Sequence, residues 1–351
     1  MSAPADNPRW RHRPEGANWG DFGSDDQIGR MNLVTPGKVL EGVREVREGR
    51  VFSLSLPLDI PGGTALNPNR LPPVLRPTLR QGRVNFNCLL NPGRPDVLSD
   101  DLAILHLQYS TQWDSLAHAG TRFDADGDGL PETRYYNGYT AADMCAPASV
   151  EGCGIGPEGS PFASTSRAQA LGIERLARTG VQGVAVMIDL QAHFGSGRTL
   201  VGYDALRRVL DADGIEVRTG DLLCIHTGYA EALLEMRGQP DTGVLARTGA
   251  ALDGHDERLL QWITDCGVAA VAADNLAVEE YPARAGDSCC SVLPLHQHCL
   301  VKLGIHLGEL WRLTPLARWL RANGRHRFLL TAPPLDLPGA VGSPVTPVAT
   351  V

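Results

Sequence analysis

Residues 108–118 read QYSTQWDSLAH. Gln108, Gln112, Asp114 and His118 share one parity, and on extended chain alternate residues face the same way. A strand or extended loop therefore aims all four side chains at one point. Convergent oxygen and imidazole donors are what a tight metal site needs. The competing reading is a polar strand face turned to solvent. The preceding DDLAILHL reads as a strand, from Leu102 to about Leu107, that runs into the motif.

Toward the C-terminus, strands and helices alternate. VQGVAVMIDL, DLLCIHTG and VAAVAADN read as buried strands, and YDALRRVLDADG and DERLLQWITDCG as amphipathic helices between them. SVLPLHQHCLVKLGIHLGELW reads as a helix and then a short strand, and RHRFLLTAPPL closes the core. Toward the N-terminus, Thr35 is a good N-cap and Pro36 suits the first helical position. Val39, Val43 and Val46 follow at helical spacing until Gly49. VFSLSLPL alternates as a strand does. Residues 60–85 carry too much Pro and Gly for regular structure and read as a lid, a site wall or a surface excursion. Residues 1–30 read as an extended arm whose Trp10 and Trp19 pack on the domain or on a neighbouring subunit. Residues 31–351 read as one domain, with no repeat or linker.

The bulk numbers bound the function. The 351 residues are 43% hydrophobic and 21% charged, an ordinary globular composition. A formal net charge of -8 disfavours a nucleic-acid partner, which needs a basic face. No apolar run reaches the length of a membrane span, and MSAPADNPRWRHRPEG has no apolar signal core. The eight cysteines form no CxxC. A cytoplasmic, reduced protein acting on a small molecule is the expectation.

Other segments offer candidates. PLHQHCLVKLGIHLGE places His296, His298 and His306 beside Glu309. On a helix, His296 and His298 point about 160° apart, so they cannot both face one ion. DADGDGLPE puts Asp124, Asp126 and Asp128 where a calcium loop has its first ligands, but its twelfth position is Tyr135. A solvated turn is the plainer reading. His226 and His193 follow strands, where site residues collect in α/β folds. GIGPEGSPFASTS lacks the lysine of a phosphate loop, the pair Cys289–Cys290 reads as packing, and no GxSxG is present.

Taken together, these segments resemble the cyclase-like metal-dependent hydrolases of the kynurenine formamidase and isatin hydrolase type. That family carries HxGTHxDxPxH where this chain has QYSTQWDSLAH. Thr111, Asp114 and His118 are kept, while Gln108 and Gln112 stand where two metal-binding histidines are expected. The resemblance extends over NWGDFGSDDQIGRMNLVTP, VFSLSLPLDIPGG, YYNG, DLLCIHTGY, AADNLAVEEYP and PLHQHCLVKLGIHLGELW, a pattern like that of a subgroup with TQWD. It implies an α/β swivelling β/β/α fold with a mostly β core and flanking helices. It also implies a homodimer or homotetramer, with no membrane partner.

The resemblance further implies that Asp114, His296 and Glu309 hold a metal and that His118 is the acid/base, with Asp114 beside it. Gln108, Gln112, Trp113 and His226 are the expected substrate contacts, although the parity of Trp113 opposes the site and favours a core or interface place for it. Tyr109, Tyr135 and Tyr136 are candidates for an apolar wall. Amide oxygen binds zinc more weakly than imidazole, so the expectation is one divalent ion, zinc or manganese, or none. The implied reaction is hydrolysis of an amide, cyclic amide, ester or lactone in a small cyclic or aromatic substrate. Two alternatives remain: a metal-independent cyclase, dehydratase or isomerase using His118 and Asp114, and a non-catalytic ligand-binding member of the fold.

Overall fold

A computed structural model describes residues 7, 9–149, 153, 164–282, 284 and 291–351. Cys289, Cys290 and most of the glycine-rich stretch 154–166 lie outside the described residues. The frame is a nine-stranded sheet. Its strands in chain order are β1 (Val51–Ser53), β2 (Gln112–Asp114), β3 (Gln182–Asp189), β4 (Leu222–His226), β5 (Ala270–Ala273), β6 (His306–Glu309), β7 (Arg327–Thr331), β8 (Gly342–Pro344) and β9 (Val348–Thr350). Their spatial order is β1-β9-β7-β3-β4-β5-β6-β2-β8. The central four run parallel. Antiparallel strands flank them on both sides.

The helices that cover this sheet include α1 (Pro36–Arg44), α2 (Ile173–Ala177), α3 (Tyr203–Asp213) and α4 (Glu257–Cys266). Next comes α5, one α turn at Pro294–His296 that continues as π-helix over Gln297–Leu303, and then α6 (Thr314–Ala322). The Asp256 side chain caps α4 by accepting from the Arg258 and Leu259 N–H groups.

The parallel strands are apolar on both faces because both faces are covered. Val186, Ile188, Leu223, Ile225 and Val271 pack with Leu206, Val209, Leu259 and Ile263 of α3 and α4. The intervening Ala185, Met187, Leu222, Cys224 and Ala270 pack with Leu316 and Leu320 of α6, and with Trp113 and Trp311. A strand period of two thus assigns successive residues to different apolar layers.

The arm packs on its own chain. Trp19 is buried and donates its indole N–H to the Val301 carbonyl in α5, at 2.7 Å. Trp10 meets it edge-on at 5.7 Å. Asn137 of YYNG ties the arm down, donating to the carbonyls of Gly23, Ser24 and Asp26. No helix among the described residues is long and apolar enough to cross a membrane.

Three local expectations are corrected. Residues 60–85 do hold regular structure: Val74–Pro77, Leu79–Arg80 and Arg83–Val84 form ribbon strands. Gln81 (φ 50) and Gly82 (φ 75) supply the two-residue, positive-φ turn that matches strand twist. The strand expected at Leu102–Leu107 is Asp101–Ile104, and it pairs with Val74–Pro77 instead of entering the main sheet. VFSLSLPL is paired over Val51–Ser53 only, apart from a bridge from Ser55 to Trp311. Pro57, which has no N–H to give a ladder, stands at its end.

Candidate metal centre

β2 lies between β6 and β8, with Gln112 opposite Glu309 and Asp114 opposite Leu307. Strand alternation therefore puts Gln112, Asp114 and Glu309 on one face. His296 reaches the same point from the first turn of α5. Ligand atoms of Asp114, His296 and Glu309 all lie within 4.8 Å of one another. All three residues are buried. His296 Nε2 is 3.4 Å from Glu309 Oε1. Gln112 Nε2 donates to Asp114 Oδ1 and to Glu309 Oε2, each at 3.3 Å.

His118 joins by a different route from the one its parity suggested. The chain stops being extended after Asp114 and turns, the His118 N–H donating to the Ser115 carbonyl. That turn leaves His118 Nε2 3.9 Å from Asp114 Oδ1, with a side chain 25% exposed. The cluster thus has a buried floor and one imidazole at its solvent edge.

Burial raises the Asp114 carboxyl, and the His118, His296 and Arg70 charges oppose this without cancelling it. Burial acts on Glu309 in the same sense. There the hydrogen bond and charge of His296 win, and its carboxyl is lowered. Two facing carboxylates are thus driven apart in proton affinity. Burial pulls His296 down, but Glu279 and Glu309 push it up to about 10. A site of this kind demands positive charge.

The donor set fits a divalent cation. Two carboxylates and an imidazole converge, and Asp114 Oδ2 and Gln112 Oε1 are buried with no hydrogen-bond partner among the described residues. An oxygen left unsatisfied in the interior costs about 1–3 kcal/mol, which coordination would recover. Gln112 has its amide nitrogen toward the carboxylates, so only rotation of the amide would offer Oε1 to an ion.

The other expected residues divide. Gln108 Nε2 is buried without a partner among the described residues, over Gly342, the residue opposite Asp114 on β8. Gln108 also lines a narrow cleft with Leu66, Arg70, Tyr109, Leu276 and Leu310. Tyr135 is half-buried, and Tyr109 is buried with its hydroxyl given to the Gly63 carbonyl.

Trp113 is not at the site. Its parity turns it into the opposite layer, where it meets Trp311 at 4.9 Å and donates to the Ala332 carbonyl. Trp113→Ala should cost about 3–5 kcal/mol in chemical denaturation and leave metal content per folded molecule unchanged. Tyr136 is likewise committed elsewhere, its hydroxyl donating to Asp26 in the arm.

His226 belongs to a separate buried network. Its Nδ1 pairs with Asp189 at 2.8 Å and its Nε2 with the Thr314 hydroxyl at 2.9 Å. Burial lowers the His226 pKa, but Asp189 and Asp274 outweigh it and the net shift is upward. Burial raises Asp189, yet His226 and Arg321 bring it down to about 2. A raised His stabilises below its unfolded pKa and loses that contribution as pH climbs through its folded pKa. A depressed Asp stabilises above its unfolded pKa and loses that as pH falls toward 2. The pair should therefore contribute most between about pH 4 and 6.5. Denaturation of His226→Gln across pH should show its largest deficit there, roughly 2 kcal/mol.

His298 faces Thr264 of α4, and burial lowers it to about 4. The helical period was thus right that only one of the close pair can face the cluster. His306 turns away from the cluster, its ring nitrogen 3.0 Å from the Asp114 carbonyl. His193 pairs with Asp213. Asp124, Asp126 and Asp128 do converge, in a hairpin turn where they accept from the N–H groups of residues 127–130. Glu279, which holds His296, and Arg70, whose charge acts on both site carboxylates, join the cluster with no local motif to mark them.

Fold and cluster together define a class: a curled mixed sheet carrying a buried, two-carboxylate, one-imidazole centre. A family model described as putative cyclase matches residues 52–280. The chain belongs to that cyclase family. A crystal structure described as a novel cyclase is 30% identical, covering 99% of this chain and 100% of its own, with a TM-score of 0.72. The fold is shared more distantly with isatin hydrolase A from Ralstonia solanacearum (13% identity, 86% and 91% covered, TM-score 0.52). It is also shared with an isatin hydrolase bound to the product analogue thioisatinate (12% identity, 90% and 99% covered, TM-score 0.54). No curated protein matches the sequence.

Proposed function

We propose that the protein is a hydrolase of a C–N or ester bond in a small cyclic or aromatic substrate, dependent on one divalent ion. The supporting observation is the convergence of Asp114, His296 and Glu309 within 4.8 Å, beside a buried Asp114 oxygen that has no partner among the described residues. When bound, a zinc or manganese ion there supplies Lewis acidity and lowers the pKa of water. His118 does the proton work. Its place at the solvent edge lets it take a proton from the attacking water and return it to the leaving nitrogen or oxygen. Asp114 Oδ1 stands 3.9 Å from that imidazole, at the solvent edge of the cluster. Gln108 and Gln112, whose amide nitrogen and oxygen respectively have no partner among the described residues, are the groups to orient a substrate carbonyl or ring N–H.

A second reading has one observation in its favour. Gln112 donates to both site carboxylates and so relieves part of their repulsion without a metal. That would suit a metal-independent ring closure or dehydration by His118 and Asp114. A panel of aryl formamides, cyclic imides and lactones, assayed before and after chelation, separates the two. Turnover that disappears on chelation and returns with zinc or manganese supports the hydrolase. Turnover that survives complete chelation overturns the metal dependence.

A further inference from the structure

We propose that Glu279 is a positioning residue that fixes the tautomer and aim of His296, and so sets how tightly the site holds its ion. The inference rests on the metal-dependent reading of the site. Glu279 is a buried carboxylate outside the three-residue cluster. Its Oε1 accepts from the His296 backbone N–H at 2.9 Å and lies 2.7 Å from His296 Nδ1. Its Oε2 accepts from the Leu295 N–H at 3.0 Å. The carboxylate therefore caps the start of α5 and at the same time engages the ring of the first histidine on it. A carboxylate so close to Nδ1 holds a proton there, leaving Nε2 as the ring nitrogen aimed toward Glu309 and Asp114. Capping alone would need only the two backbone contacts.

The backbone around Glu279 is built to deliver it. Ala277 (φ 70) and Val278 (φ 61) both adopt the left-handed region, which a β-branched residue rarely enters. The Val278 carbonyl is held by the Leu252 N–H and the Asn275 side chain, each at 3.3 Å. Strain of this kind persists where surrounding structure imposes it, and it clusters at functional sites. Gly254 completes the cradle: a Cβ there would overlap Glu279 Oε2 and press on the Leu295 nitrogen at 3.1 Å. Glu279 thus has space reserved for its carboxylate by the missing side chain at Gly254.

The test is metal affinity, measured by chelator competition with Zn(II) and by the visible spectrum of the Co(II)-loaded full chain. Glu279→Ala should weaken the affinity 10- to 100-fold, as loss of such partners commonly does, and shift the Co(II) bands. Glu279→Gln keeps one acceptor oxygen and should fall between alanine and wild type. Gly254→Ala should weaken the affinity in the same direction by displacing the carboxylate. Thermal unfolding with chelator present reports purely structural damage. Variants that lose stability but bind Zn(II) with wild-type affinity and an unchanged Co(II) spectrum overturn the inference. A wild-type protein that binds no metal overturns the hydrolase reading instead, so the two failures are distinguishable.

Discussion

Asp114→Ala should abolish stoichiometric metal binding. The residue gives the site one of its two carboxylates, and its buried Oδ2 has no partner among the described residues. What remains is His296 with a single carboxylate, a poor match for the three protein ligands typical of a catalytic ion. Hydrolysis should fall by at least about three orders of magnitude, comparable with removal of a central electrostatic group. The substitution also separates metal loss from misfolding. In chelated protein, alanine removes a buried carboxyl that burial and Glu309 both press toward neutrality. The chelated variant should therefore unfold at or above the temperature of chelated wild type. Elemental analysis beside thermal unfolding checks both halves. Full metal content in Asp114→Ala would remove this residue from the ligand set.

His118→Ala should have the complementary phenotype. The imidazole is a quarter exposed, approaches Asp114 Oδ1 at 3.9 Å and is outside the three-residue cluster. Metal content should stay at the wild-type level while kcat drops about 10²- to 10⁴-fold, the usual contribution of a general acid–base group. Loss of activity with retained metal assigns His118 to proton transfer. If metal leaves with the imidazole, His118 is a ligand and the proton work falls to another group. If kcat is unchanged with metal retained, His118 has no catalytic part.

Much of the frame was legible because it obeys local rules. Thr35 and Pro36 do start α1, although the Thr35 side chain makes no capping hydrogen bond and the helix ends at Arg44, before Gly49. The Val- and Ile-rich run 182–189 reads as a doubly covered strand and is one. At the site, alternation correctly put Gln112 and Asp114 on one face, because those residues do lie in β2. For His118 the right neighbour was reached by the wrong geometry, since the turn at residue 115 and not an extended chain brings it back. Trp113 shows parity working against function: the same alternation that directs Asp114 to the cluster commits the indole to the core.

What stayed hidden depends on contacts between distant segments. Glu279 is defined by Leu295, His296 and Gly254, and its strained approach runs through Ala277 and Val278. Neither of those is a residue whose type announces a left-handed backbone. Arg70 sits in a proline-rich stretch with no period to read, and it meets Gln108 only because that stretch folds over the motif. The ribbon at residues 74–84 escaped notice because its turn is Gln-Gly, a weaker signal than Asn-Gly or Asp-Gly.

The central claim is that one ion sits among Asp114, His296 and Glu309. Anomalous diffraction from crystals grown with manganese or zinc, recorded on either side of the metal's absorption edge, tests it directly. The account predicts one strong peak within bonding distance of one oxygen each from Asp114 and Glu309 and of His296 Nε2. A metal-saturated crystal with no peak at that point, or with two, would contradict it.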